Sequence, residues 1–87
     1  MKYLLKYSHE AQKQLDRLEY REYLRVYKGI LKLRDNPRPY GAIKLKKKEY
    51  YRLRMGSYRV IYEIEQKQKT VLIVRVLRRN EQTYKNL

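Results

Sequence analysis

The chemistry open to this 87-residue chain is that of arginine, lysine and tyrosine. Arg52, Arg54 and Arg59 fall within one stretch, EYYRLRMGSYRVIYEIE, residues 49–65. A guanidinium is a planar fork that grips a phosphate at two points and stays charged. Lys44, Lys46, Lys47 and Lys48 lead into that stretch and form a candidate rim for further phosphate contacts. Arg78 and Arg79 precede Tyr84, on a terminal segment that can fold back over a sheet. A tyrosine ring can stack on a splayed base, worth about 1–3 kcal/mol per base. Most of the eleven tyrosines read instead as packing, with Tyr3, Tyr27, Tyr58 and Tyr62 expected in the core.

Other chemistries lack their residues. There is no cysteine, and the single histidine, His9, sits at an expected helix start and reads as a surface residue. No His/Cys cluster offers a metal site and no glycine-rich phosphate loop is present, so no metal or cofactor is expected. The nine carboxylates show no pairing, which argues against a hydrolase built on two acids.

The elements that must position the arginines follow from periodicity. In residues 49–65 apolar and polar side chains alternate with the period of two of a strand. Gly56-Ser57 interrupts the alternation, and Gly at the first central position suits a type II′ turn. The expected register sets Met55 opposite Tyr58, Arg54 opposite Arg59, Leu53 opposite Val60 and Arg52 opposite Ile61. One face then carries Tyr51, Leu53, Met55, Tyr58, Val60 and Tyr62. The other gathers Arg52, Arg54 and Arg59. Like charges facing each other destabilise a ladder by up to roughly 1 kcal/mol. A sheet that accepts this either exposes a solvated basic face or holds an anion.

The remaining chain reads as α+β, in the order β-α-α-β-β-β. Lys2 to Tyr7 is an expected strand, with Tyr3, Leu5 and Tyr7 on one face. Ser8 is an expected N-cap, followed by a helix of about three turns with Ala11, Leu15 and Leu18 as its apolar stripe. A second helix is expected from about Arg21 to Arg34, facing inward through Tyr23, Leu24, Tyr27, Ile30 and Leu31, with Val26 and Leu33 widening that face. Gly29 lies inside it, and Pro37 stops it. Residues 40–48 read as a loop. Lys69 to Arg79 is an expected central strand, because Val71 to Val74 is nearly continuous apolar sequence. A short C-terminal helix, Glu81 to Leu87, is expected behind Asn80. The helix hairpin should pack on the Leu53–Met55–Tyr58 face of a small, mainly antiparallel sheet and leave the arginine face open.

The chain is expected to be one domain, residues 1–87. Its net charge is +14, unevenly spread: residues 1–35 hold nine Lys/Arg against five Asp/Glu, and residues 36–87 fourteen against four. That is the electrostatic footprint of a polyanion binder, with nucleic acid the first candidate and an acidic protein compatible. No apolar run approaches membrane-spanning length, and no basic helix shows an exposed apolar face, so no membrane partner is expected. The absence of cysteine and of a signal peptide fits a cytoplasmic location.

The pattern YRLRMGSYRVIY, residues 51–62, and the ending VLRRNEQTY, residues 76–84, resemble the RelE/ParE superfamily of bacterial and archaeal toxins. Within it the chain looks like the RelE-like ribosome-dependent mRNA interferases, and the resemblance covers nearly its whole length. The resemblance implies a RelE-like fold. It implies a type II toxin–antitoxin toxin that acts as an endoribonuclease on mRNA in the ribosomal A site and inhibits translation. The ribose 2′-hydroxyl would attack its own 3′ phosphate. It further implies catalytic roles for Arg52, Arg54, Arg59, one of Arg78 and Arg79, and Tyr84. Arginine at the first two positions departs from members that carry lysine, because a guanidinium does not give up its proton usefully. The implied partners are the ribosome with its mRNA and ribosomal RNA, and an acidic RelB-like antitoxin in a hetero-oligomer. Two other readings stand beside this one: a ParE-like gyrase inhibitor that cuts no RNA, and a basic RNA- or ribosome-binding protein without activity.

Overall fold

The computed structural model describes residues 2–46 and 49–78. Seven elements follow in order: β1 (Leu4–Tyr7), α1 (His9–Asp16), α2 (Tyr20–Lys32), β2 (Ile43–Lys44), β3 (Tyr50–Met55), β4 (Tyr58–Glu65) and β5 (Thr70–Arg78). The five strands form one sheet in the order β1-β5-β4-β3-β2. β1 runs parallel to β5 and every other pairing is antiparallel. β5 is therefore interior, as its continuous apolar run requires, and the neighbour of β1 is settled.

The hairpin has the expected register, from Met55 opposite Tyr58 through Arg54 opposite Arg59 to Arg52 opposite Ile61. Its turn depends on Gly56, whose φ of +62° is open to glycine without penalty. A side chain there would also strike Arg25 of α2, since a Cβ would stand 2.5 Å from its Cδ. Two features of the sheet escape the sequence. Residues 40–48 are not all loop, because Ile43 and Lys44 pair with Arg52 and Tyr51 as a short edge strand. The β4–β5 ladder also shifts register between Ile61 and Tyr62, leaving Val74 as an extra residue.

The helices are shorter than periodicity suggested. α1 ends at Asp16, short of the break expected near Glu19 or Tyr20, and α2 ends at Lys32 rather than Arg34, with Leu33 as its C-cap. Ser8 caps α1 by accepting from the Ala11 N–H at 3.0 Å. Ala11 and Leu15 are buried as expected, and Leu18 is half-buried. On α2 the deepest residues are Val26 and Ile30, followed by Leu33, while Tyr23, Leu24, Tyr27 and Leu31 are half-buried. The buried stripe is thus rotated from the tyrosines toward the smaller side chains, which fit closer to the sheet. Tyr27 is not core; it stacks on Tyr23 with ring centroids 5.7 Å apart. Tyr3, Tyr58 and Tyr62 are core, joined by Tyr51.

α1 lies along the edge of β5 where β1 has ended. The Ser8 hydroxyl donates to the Val74 carbonyl at 2.7 Å, and the Val76 N–H donates to Gln14 Oε1 at 2.6 Å. Side chains here replace the missing strand, so an edge that would otherwise expose unpaired amides is covered. The loop after α2 is tied down from the other side. The buried Tyr62 hydroxyl donates to the Pro37 carbonyl at 2.7 Å. Arg38 Nε donates to the Tyr51 hydroxyl at 2.9 Å, its guanidinium 5.3 Å from the centre of that ring.

Candidate nucleic-acid interface

Strand alternation and register place each candidate side chain. Residues opposite each other on neighbouring strands point to the same side of the sheet. Arg52, Arg54 and Arg59 therefore share the face turned away from Val60, Tyr62 and the helices. Arg54 and Arg59 face each other directly, and Leu77 of β5 continues that row beyond Arg59. Arg54 is exposed, while Arg52 and Arg59 are half-exposed.

This face is less open than the sequence suggests. Ile61, between Arg52 and Arg75, is 0% exposed, and Leu77 is 2% exposed. The arginines border this buried apolar strip, against which their aliphatic stems can pack. Tyr50 and Glu63 stand opposite each other on the same face, which makes Glu63 the diagonal neighbour of Arg52. Alternation already assigned Glu63 to this face, but nothing in the sequence singled it out from the other carboxylates.

Arg78 does not join the other arginines. It pairs with Tyr58, so its side chain leaves the sheet on the helix side. There it lines a cleft of about 240 Å³ with Gln14, Arg17, Leu18, Tyr58 and Val76. Arg54, Arg59 and Arg78 thus meet at the turn end of the sheet, two on one face and one on the other. Lys44 stands on β2 and pairs with Glu49 at 3.3 Å, and Lys46 follows in the loop as an exposed residue. Lys47, Lys48, Arg79, Tyr84 and the expected terminal helix lie outside the described residues. His9 is exposed, as expected.

The perturbed groups lie away from the arginine face. Burial pushes the Tyr62 hydroxyl well above the usual tyrosine range, and its neighbour Tyr51 adds to this against the opposing charge of Arg38. Burial also raises Tyr7, with Tyr27 and Tyr23 contributing. The hydrogen bond to Tyr51 raises Arg38 further. Among the described residues no group of His, Cys, Asp and Glu could hold a metal ion. No helix among them is long and apolar enough to cross a membrane.

Two helices on a five-stranded mixed sheet, with a cation-bearing strand pair, place the chain in a known class of fold. The RelE–RelB complex of Pyrococcus horikoshii OT3 contains a chain 31% identical, with a TM-score of 0.82 over 94% of this chain and 100% of that one. The RelBE2 toxin–antitoxin complex of Mycobacterium tuberculosis gives 26% identity and 0.79, over 91% of this chain and 100% of that one. The intact RelBE complex of E. coli gives 18% and 0.80, over 91% and 99%, a likeness of fold alone. The class is that of the RelE-like toxins. Residues 5–83 match the family described as the ParE toxin of the type II toxin–antitoxin system parDE, and the chain belongs to that family, within the RelE/ParE superfamily. No curated protein matches the sequence.

Proposed function

We propose that this toxin is an endoribonuclease that cuts mRNA in the ribosomal A site. The observation that carries the reading is the row formed by Arg54 facing Arg59, with Arg52 beside it, on the sheet face away from the helices. Three fixed cations there suit the extra negative charge of a phosphate under in-line attack. The 2′-hydroxyl oxygen bonds to the adjacent phosphorus while the bond from phosphorus to the 5′ oxygen breaks. The products are a cyclic phosphate and a 5′-hydroxyl, which takes up a proton. Arg59 would hold the pentacoordinate phosphate, and Arg52 and Arg54 would bind and align the flanking backbone. None of these arginines can accept the 2′-hydroxyl proton, which passes to water, so the reaction leans on charge and on alignment of the mRNA by the ribosome. Arg78 at the turn end of the sheet, with Arg79 and Tyr84 from the sequence, completes the proposed set. Lys44, Lys46, Lys47 and Lys48 would contact ribosomal RNA. The site works in the cytoplasm without a cofactor.

An antitoxin is the proposed partner, since the similar chain of Mycobacterium comes from a toxin–antitoxin complex and that of Pyrococcus from a RelE–RelB complex; the net charge of +14 makes an acidic one the fit. The decisive experiment maps cuts on translated mRNA during expression. Wild type should produce A-site cuts and Arg59→Ala should produce none while keeping its fold. The match to the ParE family favours a second reading, gyrase inhibition. DNA damage without RNA cuts would establish it instead.

A further inference from the structure

We propose that Glu63 draws off the 2′-hydroxyl proton through one water. The inference rests on the cleavage reading and supplies the acceptor that the arginines cannot be.

The register gives Glu63 its place. On β4, Arg59, Ile61 and Glu63 alternate onto the face away from the helices, with Arg54, Arg52 and Tyr50 opposite them on β3. Arg59 and Glu63 therefore flank Ile61, each about 7 Å from it along the strand. Arg52 stands opposite Ile61, level with the midpoint between them. A phosphate held over Ile61 by Arg52 and Arg59 has a cation on one side and a carboxylate on the other. In-line displacement suits that polarity, because the entering and leaving oxygens lie on opposite sides of phosphorus. The 2′-hydroxyl then enters from the Glu63 side, and the 5′ oxygen leaves on the Arg59 side.

Glu63 is also available. The ion pairs among the described residues are Lys44–Glu49 and Arg75–Glu10, and Glu63 is in neither. Glu65, which follows it onto the same face of β4, accepts from the Lys67 N–H at 2.9 Å in the turn beyond. Among the described residues, the charged and titratable groups facing Glu63 are Tyr50 opposite, Arg52 and Arg75 on the diagonals, Lys6 one strand beyond Leu72, and Glu65 on its own strand. Arg75 is engaged by Glu10 of α1 at 2.9 Å. An uncompensated carboxylate weakens phosphate binding, a cost that a part in proton transfer offsets.

The proton moves in two transfers. As the 2′ oxygen bonds to phosphorus, its proton passes to the water, and the water gives one of its own to a Glu63 carboxylate oxygen. The departing 5′ oxygen takes a proton from solvent. Glu63 returns its proton to solvent once the products have left. The water spans a distance too long for a direct hydrogen bond from a hydroxyl beside that phosphate.

The test measures single-turnover cutting of mRNA in the A site of purified ribosomes, from about pH 6 to about pH 9. The wild-type rate should be nearly flat, because the protein supplies the acceptor. Glu63→Gln keeps the shape of the side chain and should cut about 10²–10⁴-fold more slowly, with ribosome affinity retained. Its rate should also climb about ten-fold per pH unit, because hydroxide must then take the proton. Glu65→Gln should match wild type, and added formate should restore cutting to Glu63→Ala. Thermal melting checks that the variants fold. A Glu63→Gln profile that is slower but still flat makes Glu63 a support for Arg52 and overturns the proposal, as does unchanged cutting. A wild type that leaves mRNA intact overturns the cleavage reading itself, and this inference with it.

Discussion

At the scale of the residue, the telling position is Arg59. It faces Arg54 across the ladder, and the repulsion between them is relieved when an anion sits between. Loss of one preorganised donor to a transition state lowers turnover by about 10²–10³-fold. Arg59→Ala is therefore expected to lose A-site cutting by that order, with the fold retained. Full cutting by the variant would remove Arg59 from the site. Tyr62 is the structural counterpart. Its buried hydroxyl bonds the Pro37 carbonyl, and its acidity is suppressed by burial. Tyr62→Phe should lose about 1 kcal/mol at neutral pH, from the hydrogen bond. The pH dependence has a definite sign. The folded hydroxyl keeps its proton above about pH 10, where the unfolded one ionises, so this group's contribution is complete below that pH and falls as pH rises. The gap between wild type and Tyr62→Phe should narrow above about pH 10, measured by urea denaturation. A constant gap would disprove the suppression.

At the scale of the element, α1 substitutes for a strand. Its Gln14 side chain accepts the Val76 N–H that no β1 residue reaches. Gln14→Ala should destabilise the fold by about 1–3 kcal/mol, since a strand amide is left unpaired. Gln12→Ala, two residues earlier, removes an exposed bond to Asp16 and should stay within about 0.5 kcal/mol. Equal effects would show that α1 does not guard the edge. The departure of Arg78 from the other arginines originates in the sheet itself. The register shift between Ile61 and Tyr62 precedes it on β5, and alternation then carries Arg78 to the helix side.

At the scale of the whole molecule, charge dominates. A net charge of +14 favours polyanionic partners, and each phosphate contact on single-stranded RNA adds about 0.7 to the slope of log affinity against log salt. Joint replacement of Lys46, Lys47 and Lys48 by alanine should weaken ribosome association at every salt concentration and flatten that slope. Cut positions should not move, because backbone contacts carry no sequence information. An unchanged slope would take those lysines out of the contact.

Much of the fold was legible in the residues themselves. A period of two with Gly56-Ser57 at its centre determines the hairpin register, because a slip by one residue would turn Val60 and Tyr62 out of the core. The arginine face follows from the same alternation. So does the interior place of β5, whose apolar run needs cover on both sides. The sequence alone could not determine β2, since two residues pair only where the neighbouring strand presents its edge. Nor could it set the rotation of α2, which was decided by how closely Val26 and Ile30 fit against the sheet. Tertiary structure also decided which arginines share a face. A single extra residue in β5 shifts its pairing with β4, and the face of Arg78 is read from that pairing rather than from spacing.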